Sequence, residues 1–538
     1  MSNAFYFPEL KKLKEGEKVK GKQYDCESCG LSHKCENPKL APYGNPESKI
    51  VLLSNYLTED EDKKGKPFSS KYGQYIRKHV GEAGMFAYRD AQVMNAIACH
   101  PTEKISTTFY KCCRPLLKER LEKIKPNLII TFGEHATQSI LNTPTIEGIK
   151  KMRGRIIPSH EFNCLVFPVF HPDNILRARF DHERVKNDDE VVESQYSIKE
   201  VEYTLDKDLE RIIRMYKRKY HKRAEVDKLL KSRRILDGIS ITQIKTIKEL
   251  KAALTLCYEH GSMAFDYEAN CLKPYDKDFK IYATGFGFRK NAWVIYNPQM
   301  EKESLAMQYI IGALVNSDLI KIIQNKKFEE LVTRHEIDKQ RLKIRRDELG
   351  NVIRPYEDTM LATHVVDQRR GCTNLDFQNL VRFGILPYNK KVEKYLKKEH
   401  KDDKLNRIHL IKPEDLVEYN GLDIITSYAN WPVCQLLLEK SDKFSWCYEF
   451  LKDGHDSFAN MTYNGIPVDE PGLDDLDEEL ECHQEDIMEK IEVLSDVKTF
   501  CKWLEKHNDE KKAAKKSQAK KITKEKGITH LKRSLDLK

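Results

Sequence analysis

The stretch Met263-Ala264-Phe265-Asp266-Tyr267-Glu268 constrains this chain more than any other. An apolar run ending in two acids two residues apart reads as a strand, whose alternation puts Asp266 and Glu268 on one face. Like charges that close repel each other unless a cation sits between them, and hard oxygen ligands suit Mg²⁺ or Mn²⁺. Further acids follow at helical spacing. Asn325-Lys326-Lys327-Phe328-Glu329 opens a helical stretch in which Asn325 is the expected N-cap and Glu329 points inward. Tyr419 and Asp423 lie one turn apart on a common face of the helical pattern Pro413–Glu439. A pair of metals about 3.5–4 Å apart needs three or four carboxylates, and a phenol can orient an attacking water. Phosphodiester hydrolysis is the reaction such a site serves.

The chain is long enough for more than this one fold. At about 150 residues per domain, its 538 residues predict three or four domains. Hydrophobic residues make up 40%, enough for several cores, and 33% are charged, as in a solvated intracellular protein. No apolar run nears the roughly 20 residues that cross a bilayer, and Met1–Leu10 lacks a basic-then-apolar secretory pattern. Membrane and secreted classes are excluded on this reading, and a cytoplasmic location is expected. Of the net charge of +9, +8 lies in Cys501–Lys538, with 13 basic against 5 acidic residues. That distribution predicts a basic tail that either attracts phosphate or is simply solvated, not a uniformly basic coat.

Pattern divides the chain into four stretches. Residues 20–185 alternate short β-like runs (Lys49–Leu53, Leu128–Phe132, Cys164–Phe170) with helical spacing, which predicts α/β with a mostly parallel sheet. Residues 186–237 read as a charged helical connector. Residues 238–440 open in helical spacing (Ile239–His260), continue with candidate strands Ser262–Glu268, Lys280–Phe288 and Ala292–Asn297, and then turn mainly helical. Residues 441–538 are nearly all helical in pattern and include the lysine-rich tract Lys511–Lys526.

Fourteen cysteines in a cytosolic chain do not suggest a disulfide scaffold. Most are isolated core fillers, but six lie between Cys26 and Cys113. Cys26-Glu27-Ser28-Cys29 supplies two thiolates on one turn, and Cys99 and Cys113, each beside a proline in what reads as irregular chain, are candidates to close a four-thiolate site. Cys112 competes with Cys113, and Cys35 is an outside candidate. Four thiolates suit zinc or an iron–sulfur cluster on chemistry alone.

In order and spacing, the acids resemble the DEDDy 3′→5′ exonuclease domain of family A DNA polymerases, whose motifs are D-x-E on a strand, N-x-x-F-D on a helix and Y-x-x-x-D on a later helix. Glu357–His364 and Leu375–Leu380 also fit, and Glu329 stands where that pattern usually has Asp. The resemblance implies that Asp266, Glu268, Glu329 and Asp423 bind two divalent metals, Mg²⁺ or Mn²⁺, and that Tyr419 positions the water. Asp358 is expected to fix local structure.

The first segment is similar to the family-4 uracil-DNA glycosylases. Cys26, Cys29 and Leu31 match C-x-x-C-x-L; Gly44-Asn45-Pro46, Glu61-Asp62, Gly65–Phe68, Asn95–Cys99, Cys113 with Pro115 and Leu117, Arg153-Gly154 and His171-Pro172 follow the family's order. The resemblance implies a [4Fe–4S] cluster on Cys26, Cys29, Cys99 and Cys113. It also implies that Phe68 stacks on a flipped base, Asn95 reads its edge and His171 faces sugar and base. Where the family has G-E-A-P-G, however, this chain has Ser54-Asn55-Tyr56-Leu57-Thr58. Asn55 replaces the acid, and Tyr56 and Leu57 are bulky enough to fill the pocket, so a glycosylase-like domain without activity is expected.

Phe458–Met461 and Asn464–Asp469 resemble the stretch joining exonuclease to thumb in family A polymerases, while the palm signatures are not found. The expected fold is therefore α/β multidomain: a glycosylase-like α/β/α sandwich, a ribonuclease H-like exonuclease domain and a helical thumb start. The whole looks like the N-terminal portion of a phage-type replicative polymerase, proofreading frayed or single-stranded 3′ ends of DNA. On that reading it works in the host cytoplasm with a separately encoded or spliced palm and fingers part. The alternatives are a DNA-binding accessory module without turnover, or an active uracil-DNA glycosylase.

Overall fold

The computed structural model describes residues 24–102, 105–143, 148–173, 198–398, 400, 403–493, 499, 502–503 and 506–507. Residues 20–23, the first part of the expected connector (186–197), Cys501 and the Lys511–Lys526 tract lie outside them. The chain divides into two compact units, Met1–Tyr463 and Asn464–Lys538. No helix among the described residues is long and apolar enough to cross a membrane.

The first unit holds two six-stranded sheets. The first is ordered β1 (Tyr43–Gly44), β3 (Gln92–Ile97), β2 (Ile50–Tyr56), β4 (Leu128–Phe132), β6 (Cys164–Val169), β5 (Ile157–Ser159). Its four inner strands are parallel, and the two edge strands run antiparallel to their neighbours. Strands buried on both faces read as unbroken apolar runs, and Ile50-Val51-Leu52-Leu53 divides accordingly. Ile50 and Leu52 enter one apolar cluster, Val51 and Leu53 the other. The principal helices of this domain are α1 (Cys26–Cys29), α2 (Glu59–Lys64), α3 (Lys71–Glu82), α4 (Thr107–Ile124) and α5 (Glu134–Leu141).

The expected connector turns out to be part of this layer. Helices α6 (Ile198–Met215) and α7 (Arg223–Arg233) bury Leu205, Leu209, Ile212, Val226 and Leu230 in the cluster that holds Leu52, Ile130 and Phe167. The helical spacing was legible in the sequence; an amphipathic stripe must still be covered, and the sheet face covers it. The result is an α/β/α sandwich.

The second sheet is ordered β12 (Tyr356–Asp358), β11 (Ile320–Ile323), β8 (Ser262–Ala269), β9 (Ile281–Phe288), β10 (Asn291–Tyr296), β7 (Ser240–Ile244). β8, β11 and β12 are parallel, β9 is antiparallel to both neighbours, and β7 lies parallel to β10. The stretch Ile239–His260 is thus strand first and helix second. Its helix α8 (Ile247–His260) starts at a capping box in which the Thr246 side chain accepts from Glu249 N–H and Glu249 accepts from Thr246 N–H. The further helices are α9 (Glu303–Val315), α10 (Lys326–Lys339), α11 (Thr359–Val366), α12 (Leu375–Phe383), α13 (Pro413–Leu438) and α14 (Asp442–Asn464). α13 lies across the sheet, with Ile424 and Ile425 packed on Ala264, Ala292 and Ile322. Gly285 on β9 permits its close approach: a Cβ there would stand 2.1 Å from Asn420 Oδ1.

α14, which the sequence assigns to the third segment, is anchored in the core of the second domain up to Tyr463. Its Asp456 accepts from Lys326 Nζ at 2.9 Å and from Tyr356 OH at 2.9 Å. Lys326 also pairs with Glu330 at 2.9 Å, and Glu330 with Arg334 at 2.8 Å, all four charged side chains being fully buried. In the second unit, α15 (Glu470–Val493) continues the helical pattern.

Candidate functional site

β8 carries Asp266 and Glu268 to one side of the sheet, and α13 brings Asp423 to them. One carboxylate oxygen from each lies within 4.8 Å of the other two. Asn420, one turn before Ile424, donates to Asp266 Oδ2 at 2.7 Å. Tyr388, in the loop after α12, donates to Asp423 Oδ1 at 2.5 Å and lies 3.2 Å from Thr426 Oγ1. Neither partner is visible in the motif pattern: Asn420 sits between the expected pair without being singled out, and Tyr388 comes from 35 positions before Asp423.

Burial pushes the Asp266 carboxyl up to about 7 against the Asn420 hydrogen bond. Glu268 is held well above the carboxylate range by burial, then by the charges of Asp266, Asp423 and Glu329. Asp423 is raised by burial and Asp266, opposed by the hydroxyls of Tyr388 and Tyr419. Glu329, on the first turn of α10, is raised by burial and Asp266. It is almost fully buried, and its Oε2 has no hydrogen-bond partner. Tyr419 stands near Asp423, Glu268 and Asp266, and burial followed by these charges raises its phenol. The five expected residues therefore meet, with Glu329 at the margin of the three-carboxylate group.

Asn325 departs from expectation. It precedes α10 at φ 74°, and its side chain caps nothing. Asp358 takes over that work, accepting from Lys326 N–H at 2.8 Å, Met360 N–H at 2.8 Å and Leu361 N–H at 3.0 Å. One carboxylate thus caps both α10 and α11, which occupies its oxygens.

In the first domain, Cys99 and Cys113 are buried in one cluster, with Cys29 and Cys35 packed against it; Cys113 lies inside α4, which carries Pro115 in its interior, and not in irregular chain. Burial pushes the thiols up, Cys99 to about 12 and Cys113 to about 11; Cys35 and Cys113 add to the first shift, Cys29, Cys26 and Cys112 to the second. Lys39 N–H donates to Cys99 Sγ at 3.3 Å. Cys112 lies 3.7 Å from Ser28 Oγ, and Cys35 donates to Leu31 O at 3.3 Å.

A small pocket on this domain is lined by Ser54, Tyr56, Glu61, Phe68, Tyr72 and His171 among others. Phe68 is fully buried at φ 59°, and Gly73 lets α3 pass beneath it, since a Cβ there would stand 2.3 Å from Phe68 Cα. His171 Nε2 lies 3.1 Å from Ser54 Oγ. Asn95 reaches the pocket only through Glu61, donating to its Oε2 at 3.3 Å. Asn55 accepts from Ala136 N–H at 3.0 Å, capping the first turn of α5 from the neighbouring strand.

Comparison with known proteins divides the chain at the same place. Residues 41–194 match the uracil DNA glycosylase superfamily, and residues 241–429 match the 3′-5′ exonuclease model of the family A DNA polymerase type. The type-4 uracil-DNA glycosylase of Saccharolobus solfataricus is 28% identical over 153 residues, 27% of this chain and 70% of the relative. The Thermotoga maritima type-4 enzyme is 28% identical over 156 residues, 29% of this chain and 79% of the relative. Among solved structures, Brucella melitensis NrnC with bound Mg²⁺ covers 42% of this chain and 96% of its own, at 15% identity and a TM-score of 0.29. Escherichia coli RNase D covers 43% and 52%, at 12% identity and 0.27. The chain carries a domain of the uracil DNA glycosylase superfamily. After it comes a 3′-5′ exonuclease domain of the family A polymerase type.

Proposed function

We propose that the chain is a divalent-metal-dependent 3′→5′ DNA exonuclease of the DEDDy kind, proofreading frayed or single-stranded 3′ ends for a family A polymerase. The observation that carries this reading is the convergence of Asp266, Glu268 and Asp423 within 4.8 Å. The donor set fits Mg²⁺ or Mn²⁺: all are hard oxygens, the group is crowded with like charge, and Glu329 Oε2 is buried without a partner. Asp266, Glu268, Glu329 and Asp423 would hold the ions. When bound, two such ions stabilise the entering and leaving oxygens of phosphodiester hydrolysis. Asn420 and Tyr388 orient Asp266 and Asp423, and Tyr419 orients the attacking water from one turn before Asp423. Glu329, one methylene longer than the usual Asp, serves from a buried backbone position.

The glycosylase-like domain is proposed to be inactive and to hold a [4Fe–4S] cluster on Cys26, Cys29, Cys99 and Cys113. Buried neighbouring thiols with raised pKa values and a backbone N–H aimed at Cys99 sulfur fit a group that takes up thiolate charge. Cys112 lies beside Ser28 Oγ, whereas Cys35 stands next to the Cys99 sulfur and is the rival ligand. The oxygen of Asn55 is committed to α5, which supports the loss of base chemistry.

Purified protein with Mg²⁺ is expected to shorten a 5′-labelled single-stranded oligonucleotide stepwise from its 3′ end, and Asp266→Ala to abolish the ladder. A variant that digests as fast as the parent refutes the site. Release of free uracil from a uracil-containing strand would overturn the inactive reading of the first domain.

A further inference from the structure

We propose that the glycosylase-like domain is a working part of the nuclease: through α12 it fixes Tyr388, and Tyr388 is the positioning residue that sets the Asp423 carboxylate. The inference rests on the nuclease reading and assigns both a residue and a domain to that site. α12 belongs to the exonuclease stretch of the sequence, yet it buries Phe377, Leu380 and Val381 in the apolar cluster of the first domain, together with Leu117, Leu121 and Ile157.

Polar contacts fasten both ends of the helix to the same domain. Ahead of it, Arg155 pairs with Asp367, and Arg369 Nη1 donates to the carbonyls of Lys150 and Arg153, each at 3.1 Å. Behind it, His160 Nε2 lies 2.7 Å from Phe383 O. Gly384 then turns at φ 69° so close to the first sheet that a Cβ would stand 2.3 Å from Pro158 O. The opposite side of α12 faces the catalytic helix: Asn430 Nδ2 donates to Asn379 Oδ1 at 2.9 Å, and Arg382 Nη1 to Asn430 Oδ1 at 2.8 Å. Four residues beyond Gly384, Tyr388 reaches Asp423, its hydroxyl also accepting from Asn379 Nδ2 at 3.4 Å.

The physical need is specific. Asp423 sits on a helix against two other carboxylates, and repulsion favours rotamers that turn it away. A hydroxyl donating to Oδ1 holds one rotamer against that repulsion. Such outer partners of metal-binding carboxylates typically change metal affinity or activity by about 10–100-fold. Tyr388 precedes a single 3-10 turn, Asn389–Lys391, that α12 holds through Asn389 Nδ2 donating to Asp376 Oδ2 at 3.0 Å, and the first domain in turn holds α12.

The test uses the full chain. Tyr388→Phe keeps the ring and removes the hydroxyl; it is expected to lower kcat about 10–100-fold with KM for the oligonucleotide nearly unchanged. Titration calorimetry of Mn²⁺ without DNA should show affinity falling about tenfold. Arg155→Ala, at the seam and away from the carboxylates, should lower kcat in the parent and add nothing in the Tyr388→Phe background, the signature of a shared route. Arg369→Gln should behave alike, and it serves if Arg155→Ala fails to fold. Unchanged Mn²⁺ affinity and kcat in Tyr388→Phe overturn the positioning role, and seam and Tyr388 effects that simply multiply overturn the link to the first domain. A parent that cuts no DNA while Tyr388→Phe still weakens Mn²⁺ binding would refute the nuclease reading and leave the positioning role standing.

Discussion

In the nuclease domain, Asp266, Glu268 and Asp423 are pressed within 4.8 Å of one another, and Glu329 holds a carboxylate oxygen that nothing answers. In the glycosylase-like domain, the groups around the pocket answer each other. Glu61 accepts from Thr58 N–H, Ser70 and Asn95, His171 meets Ser54, and Asn55 caps α5, with Thr58 Oγ1 and Asn95 Oδ1 the exceptions. Both regions bury polar side chains next to a sheet. Burying polar atoms is tolerable only when they are bonded; the nuclease site gathers three like charges with few donors, whereas at the pocket one acid, Glu61, is shared by three donors. Both domains match a known family; what differs between the two regions is the charge gathered in each.

The sharpest way to break the contrast is at the acids. Asp423→Ala should lower kcat for 3′ trimming by about 10³-fold or more, some 4 kcal/mol of barrier, in a single-turnover assay, while circular dichroism stays unchanged. Glu329 should discriminate by charge before length: Glu329→Gln is expected to lose about 100-fold and Glu329→Asp less than about tenfold, about 2.7 and 1.4 kcal/mol. In the other region, Asn55→Ala removes a cap and strands the Ala136 N–H. It should destabilise the first domain by about 1–2 kcal/mol, read as a lower Tm with exonuclease chemistry retained.

The smallest effect is the dependence on pH. Carboxyls held above their ordinary values keep protons that the unfolded chain has already released. Without metal, stability should therefore fall as pH rises from about 4 to about 7, the window set by Asp266. Asp367, which burial alone would raise but Arg369 and Arg155 hold down to about 2, works in the opposite sense and below that window. Tm measured with chelator at pH 5 and pH 7.5 should differ by a few degrees, and Mg²⁺ should remove the difference. A rise in Tm with pH in chelator would mean that the acids are not crowded in the folded state.

Much of the candidate site's arrangement is legible because its rules are local. Alternation along a strand fixes Asp266 with Glu268, and one helical turn fixes Tyr419 with Asp423; both follow from backbone geometry. The three strands around Asp266 fell within a residue or two of expectation for the same reason. What escaped depends on distant partners. β7 hides in the helical pattern that follows it, because pairing with β10 decides its conformation. Residues 198–233 were read as helical yet detached, because nothing in an amphipathic stripe names the surface it will cover. Asn325 lost its capping role to Asp358 from across the sheet. Tyr388 carried no signal at all, being a tyrosine in a proline-containing loop until α12 and α13 bring it to Asp423.

The buried quartet of Lys326, Glu330, Arg334 and Asp456 has a consequence for how this chain tolerates change. Replacing Asp456 leaves Lys326 and Arg334 sharing one buried acid, Glu330, a loss of about 3–5 kcal/mol, whereas exchanging Asp456 together with Lys326 for apolar neighbours of equal volume is close to neutral. Single substitutions at Asp456 therefore meet a wall that double substitutions with Lys326 walk around. A position 33 residues past Asp423 is in this way as intolerant of lone replacement as the acids themselves, for a reason that has nothing to do with chemistry on DNA.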